Sequence, residues 1–370
     1  MADSQDNTEK DPVGRRDFFK EAAIGAAAIV AGGSSSSTAG AAPAPPRPGV
    51  ILPSDAQATV ELGTTAAQAP AGQAVQGAGQ PASDFMVDVL KKLDLEYAAI
   101  NPGSTFAGLH ESLINHGQNT MPQLLTCLHE ESAMAMAHGY AKAAGKPMAV
   151  ILHGTVGLLH SSMALFQAWA DRVPVFAIVG HHRNPVGIVN RPHSAQDMGS
   201  LVRDFVKFDD EATTLERFAE SAMRAYRIAM TPPMGPTLLV VDAGLQESMI
   251  RDRASLRIPV LTMASPPQGD TPAVREAARL LVNAENPLIQ IQKVGRTPRA
   301  WDLMIELAET LQAPVDVGGY GSWQDFPSWH RFYGSGGPGY RPDVTLGLEV
   351  SDMSAVARNA RGNGGQTISI

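Results

Sequence analysis

Short unbroken apolar runs recur along this chain: YAAI at 97–100, QLLTCL at 123–128, MAVIL at 148–152, VFAIV at 175–179 and TLLVVD at 237–242. Between them lie segments whose apolar residues repeat every three to four positions, as in Phe85, Val89 and Leu93. A strand that is apolar throughout has to be covered on both faces, and a helix between successive strands lets them run parallel. The pattern predicts an α/β fold with a doubly wound parallel sheet.

The expected elements are a helix from Ser83 to Leu93, a strand from Tyr97 to Ile100, a helix from Thr105 to Asn115 and a strand from Gln123 to Leu128. A helix from Glu130, the strand Met148 to Leu152, a helix through Met163 to Ala170 and the strand Val175 to Val179 follow. The helix Leu215 to Met230 and the strand Thr237 to Asp242 close the first domain, expected over 82–258, and the Pro-rich stretch 259–272 reads as a linker. A second αβ unit occupies 273–370, with helices Ala273 to Asn283 and Ala300 to Leu311. Its strands are Leu288 to Gln292, Pro314 to Val317, Val344 to Leu348 and the final QTISI. A length of 370 residues accommodates two cores.

A net charge of -8 with no basic stripe argues against a nucleic-acid partner. The single cysteine, Cys127, excludes an internal disulfide and a Cys-rich metal site; inside LLTCL it reads as a small buried hydrophobe. GRRDFFK at 14–20, the small apolar run 22–31 and Ala-Gly-Ala at 39–41 have the order of an export signal, and Arg15-Arg16 resembles the bacterial twin-arginine type. The expectation is a signal over 1–41, a disordered Ala/Pro/Gly linker over 42–81, and a periplasmic or otherwise exported protein. The apolar run is too short to span a bilayer, which takes about 20 residues, so no transmembrane span is expected in the mature chain.

In a doubly wound sheet, sites form at the carboxyl ends of strands. After the first strand comes Asn101-Pro102-Gly103-Ser104, a tight turn that lets backbone approach a ligand, or simply a good strand-to-helix turn. After the second comes HEES. Glu130 shares a helix face with Ala133, Met134, Ala137 and Ala141, whereas Glu131 shares one with His138 and Lys142. Helix phase thus points Glu130 inward and Glu131 to the hydrated side. A buried carboxylate is costly unless it is protonated or holds a bound group, and a plain acidic helix start remains the other reading. After the third strand comes His153-Gly154-Thr155-Val156-Gly157, where the histidine is a candidate acid/base or a packed polar group. His181-His182 end the fourth strand without a third ligand at useful spacing, so no metal ligands are assigned. GSGGPG at 334–339 leads into Pro342 and a strand, not a helix, and is no dinucleotide loop.

Taken together, NPGS, HEESAMAMAHGYAKAAGKP and LHGTVGLLHSSMALFQAWADRVPVFAIVG resemble the pyrimidine-binding domain of thiamine diphosphate (TPP) enzymes, in the branch of acetolactate synthase, benzoylformate decarboxylase and pyruvate oxidase. The resemblance covers about 82–245, and 271–370 resembles the start of the family's central domain. The fold it implies is a pyrimidine-binding domain followed by an incomplete Rossmann-like central domain. Its most specific element is an acid nine residues before Gly139-Tyr140-Ala141, which selects Glu130. The resemblance implies that this carboxyl group hydrogen-bonds the cofactor's aminopyrimidine nitrogen and favours the imino tautomer. That tautomer generates the C2 ylid which attacks a 2-oxo acid, for decarboxylation or carboligation. It also implies that Pro102 and Gly103 line the pyrimidine, that Ser104 and His153 handle substrate, and that the site is completed across a homodimer or homotetramer interface.

Departures from the family pattern are His160 where Asn is usual and His181 where Gln is usual. The diphosphate-binding Gly-Asp-Gly motif, whose domain supplies the Mg²⁺ ligands, is not present, and Gly269-Asp270-Thr271 is not that motif. The expectation is an N-terminal part of a longer lyase or transferase, inactive alone. The alternative is a non-catalytic α/β binding or regulatory subunit. A flavin (FAD) on the second unit has no motif to support it, and a nicotinamide or flavin dehydrogenase lacks the Gly-rich strand-to-helix loop.

Overall fold

Every strand pairing among the described residues is parallel, as the unbroken apolar runs require. The structure is a computed structural model that describes residues 79–182, 193–265, 268–318, 323–350 and 365–370. The twin-arginine segment and residues 42–78 of the expected linker lie outside the described residues.

The first part of the chain runs α1 (Ala82–Lys91), β1 (Tyr97–Ile100), a 3-10 turn (Ser104–Phe106), α2 (Ala107–Asn115), β2 (Gln123–Thr126), α3 (Glu130–Ala144), β3 (Ala149–Leu152), α4 (Gly154–Ala170) and β4 (Phe176–His181). Then come β5 (Phe208–Ala212), α5 (Leu215–Met230), β6 (Thr237–Asp242) and the short α6 (Ala243–Glu247). The strands form one sheet in the order β2-β1-β3-β4-β6-β5. Alternate strand residues feed two separate cores. Ala98, Ile100, Ile151, Ile178 and Leu239 pack with α1, α2 and α5, while Ala99, Val150, Leu152, Val179 and Val240 pack with α3 and α4. This two-sided covering is the doubly wound arrangement.

The second sheet has the order β10-β9-β7-β8, built from α7 (Thr271–Val282), β7 (Pro287–Ile291), α8 (Pro298–Leu311), β8 (Val315–Asp316), β9 (Val344–Leu348) and β10 (Gln366–Ser369). Ile289, Ile291 and Leu346 meet Leu281 of α7 and Met304 and Ala308 of α8 in a third core. Both sheets belong to one compact unit. Trp323 donates its indole N–H to the Asp171 carbonyl at 2.9 Å, and Arg172 and Arg296 both reach Glu349, at 3.3 and 2.7 Å.

The structure corrects several expected boundaries. The first helix is Ala82–Lys91, and the expected helix from Thr105 splits into a 3-10 turn and α2. Strand β2 stops at Thr126, leaving Leu128 fully exposed. Helix α4 starts at Gly154, well before Met163, and carries Gly154 and Gly157 in its first turn, where neighbouring groups approach closely. The 259–272 stretch yields its end to α7, which Asp270 caps by accepting the Ala273 N–H at 3.1 Å, with Pro272 in the first turn where no N–H is needed. Strand β5, FDDEA, escaped the sequence reading because it is acidic and half-buried. It is an edge strand that pairs only with β6 and whose Asp210 is held by Arg217 at 2.6 Å. His138 and Lys142 are drawn onto Asp171, each at 2.9 Å, and do not lie free on a hydrated face.

Candidate functional site

Strand β1 is followed by β2 on one side of the sheet, and the chain then crosses to β3 on the other. The crevice at such a reversal, beyond the carboxyl ends of the strands, is where ligands bind in doubly wound sheets. The loop after β1, the start of α3 after β2, and the residue after β3 therefore converge. They carry Asn101 to Thr105, His129-Glu130, and His153.

The loop after β1 touches His153 directly. A Cβ at Gly103 would lie 2.6 Å from the His153 ring, so only glycine leaves room for the imidazole there. Thr105, fully buried, places its hydroxyl 2.9 Å from His153 Nδ1 and accepts the Gly154 N–H at 3.0 Å. Pro102 and Ser104 are exposed, Ser104 opening the 3-10 turn. Gln246 secures the loop from below. Its amide donates to the Thr105 carbonyl at 3.0 Å and accepts the Leu109 N–H at 3.1 Å.

Glu130 is the first residue of α3 and is 5 % exposed, with Ala133, Met134, Ala137 and Ala141 as its buried companions, while Glu131 is exposed. His129 caps the helix by accepting the Glu131 N–H on Nδ1 at 3.2 Å. No hydrogen bond to the Glu130 carboxylate is formed among the described residues. Its ion-pair contact is His160 Nδ1 at 3.5 Å, on the exposed side of α4. Across from it stands Gly157, where a Cβ would come within 3.2 Å of Oε1. A buried carboxylate with spare acceptor capacity next to a residue without a side chain fits a flat ring that brings its own N–H donors.

Around this carboxylate gathers an imidazole cluster that the sequence reading named only in part. The rings of His129 and His160 stack at 4.8 Å, and His153 lies 4.6 Å from His193, centroid to centroid. Burial, then the positive potential of His193, holds the His153 ring below the ordinary histidine range, against the opposing pull of Glu130. His193 Nδ1 is buried without a hydrogen bond among the described residues, and the His193 carbonyl accepts the Thr155 N–H at 3.2 Å. His181 is buried on the neighbouring strand, 3.5 Å from Glu211. Thr105, His129 and His193 were missed in the sequence, and His160 was not assigned to the site. Only the unusual histidine at 160 signalled itself, as a departure from a family pattern.

Residues 81–196 match the family described as thiamine pyrophosphate enzyme, N-terminal TPP binding domain. The chain is similar to the benzoylformate decarboxylase of Pseudomonas aeruginosa, 26% identical over 245 residues, which cover 61% of this chain and 44% of that protein. It is also similar to the acetolactate synthase of Bacillus subtilis, 21% identical over 232 residues, 63% of this chain and 39% of that one. Among solved structures, a putative thiamin diphosphate-dependent enzyme from Mycobacterium smegmatis superimposes with a TM-score of 0.63 at 27% identity, over 73% of this chain and 52% of that one. The chain thus spans less than half the length of these two curated relatives. The β1/β3 crevice, the inward carboxylate and this matched segment agree, and residues 81–196 are similar to the N-terminal TPP binding domain of thiamine pyrophosphate enzymes.

Proposed function

We propose that this chain provides the pyrimidine side of the active site of a thiamine diphosphate-dependent enzyme acting on 2-oxo acids, by decarboxylation or carboligation. The observation that carries the reading is Glu130: buried, without a hydrogen bond among the described residues, facing the gap at Gly157 and placed at the mouth of the β1/β3 crevice. When bound, thiamine diphosphate supplies the electron sink for cleavage beside a ketone.

Glu130 shares a proton with the aminopyrimidine ring nitrogen, and the surrounding Ala and Met side chains keep water from competing for it. Pro102 and Gly103 present backbone to the ring face. His153, held neutral near pH 7 by burial, offers its ring as donor to a substrate oxygen, and the exposed Ser104 hydroxyl stands on the same loop. A Mg²⁺ ion, in this reading, is held with the diphosphate by residues other than those named here.

The same reading calls for a second copy of the chain. Leu159, Met163, Phe166 and Trp169 form an exposed apolar stripe along α4, each at least 40 % accessible. The stripe runs beside His160, so a copy docked on it closes the crevice against water. Export through the twin-arginine route is part of the proposal and rests on Arg15-Arg16 and the small apolar run after them.

The test is turnover of a 2-oxo acid by a version of the enzyme that carries a diphosphate-binding domain. Glu130→Gln should nearly abolish it and Glu131→Gln should leave it within a few-fold. Equal loss from both substitutions would overturn the assignment.

A further inference from the structure

His129, Glu130 and His160 are a group of three metal-competent side chains whose donor atoms all lie within 4.8 Å of one another, the carboxylate buried and both imidazoles exposed. His129 comes from the cap of α3 and His160 from the second turn and beyond of α4, so the packing of these two helices is what brings the set together. We propose that this trio is a binding site for a divalent ion of the zinc class, a role distinct from the cofactor contact assigned to Glu130 above.

The distances favour ligation over a simple ion pair. His160 Nδ1 and Glu130 Oε2 are 3.5 Å apart, long for a charge-assisted hydrogen bond, which would close to about 2.7–2.9 Å. Metal bonds of about 2.0–2.2 Å in tetrahedral geometry place neighbouring donors roughly 3.3–3.5 Å apart; the His160–Glu130 pair is at 3.5 Å, and the whole trio lies within 4.8 Å. Two imidazoles and one carboxylate are the donor set of an open zinc site, with the fourth position left to water. Mg²⁺ and Ca²⁺ prefer oxygen donors and are disfavoured here.

The third ligand requires a small movement. The His129 and His160 rings are stacked, 18° apart in plane, so their lone pairs do not yet converge. His160 is 58 % exposed along its side chain and can turn about its own torsions without disturbing the core. Ligation by His129 gives up a single long hydrogen bond, the 3.2 Å contact from the Glu131 N–H. Glu130 needs no movement, since its helix already presents it. Because one carboxylate serves both roles, an ion seated here and an aminopyrimidine exclude each other.

The experiment is titration of the protein, free of thiamine diphosphate, with Zn²⁺ by calorimetry and with Co²⁺ by visible absorption. The expected result is one equivalent bound, with an intense tetrahedral-type Co²⁺ spectrum. His160→Asn and Glu130→Gln should each weaken it at least tenfold, and His182→Asn, outside the trio, should not. Circular dichroism of each variant confirms that the fold is kept. Equal Zn²⁺ affinity in the wild type and His160→Asn, or loss of binding only in His182→Asn, would overturn the site. Since no cofactor is present, failure here leaves the thiamine diphosphate reading intact, and success does not establish it.

Discussion

The Thr105 hydroxyl lies 2.9 Å from His153 Nδ1 while accepting the Gly154 N–H at 3.0 Å, so one buried oxygen links the end of β1 to the end of β3. With the Gly154 N–H on one lone pair, the hydroxyl keeps its own hydrogen to donate to Nδ1 and a second lone pair to accept from it. Donation to Nδ1 is the expected arrangement and would leave the proton of the neutral His153 ring on Nε2. Adjacent parallel strands thus hold a candidate acid/base in place through one buried hydroxyl.

Replacing Thr105 by Val keeps the shape and removes the oxygen. The Gly154 N–H and His153 Nδ1 then lose their partner, at a cost of about 1–3 kcal/mol for a buried group left unpaired. Urea unfolding should show that loss, and ¹⁵N spectra of the imidazole should show the Nε2–H form giving way to a mixture. A variant with wild-type stability and a single tautomer would refute the link.

The depressed His153 titration has a definite consequence for stability. The unfolded ring takes up its proton near pH 6.5, the folded ring only at lower pH. Between the two the unfolded state binds more protons, so stability falls as pH drops through about 6.5 and levels off below the folded value; above about 7 the group contributes nothing to the slope. The urea midpoint should decline between about pH 7 and pH 5.5 in the wild type and decline less in His153→Asn. Parallel curves would exclude His153 as the source.

Gly180, in β4, faces the Thr105 carbonyl oxygen, and an added Cβ there would overlap it. That carbonyl is backbone, already held by Gln246, and has little freedom to retreat. Gly180→Ala should cost about 1–3 kcal/mol by overpacking. It should also perturb the His153 resonances, although position 180 lies on a different strand. A silent substitution would show that the loop yields.

Gln246 is fully buried and ties three backbone groups, Leu109 N–H, Thr105 O and Val241 O, the last at 3.3 Å. Gln246→Leu fills the volume and satisfies none of them. The expected loss is about 1–3 kcal/mol, with faster hydrogen exchange at Leu109. Unchanged exchange there would mean that α2 does not depend on this side chain.

Much of this protein was determined by sequence alone. Runs such as MAVIL and TLLVVD are apolar on both faces, which admits little besides a parallel sheet covered twice, and residues 98–100 and 149–152 do divide between two cores. The inward aim of Glu130 followed from the 3.6-residue period, because the phase of a helix is a local property. Strand β5 was illegible for the converse reason: FDDEA has no apolar run, and what makes it a strand is its neighbour β6 and the cations that meet its acids. The composition of the crevice was also beyond the sequence. Thr105 and His153 are 48 positions apart, and His160 meets Glu130 only because α3 and α4 pack face to face. Local periodicity decides which way a side chain points; only the tertiary structure decides what it finds there.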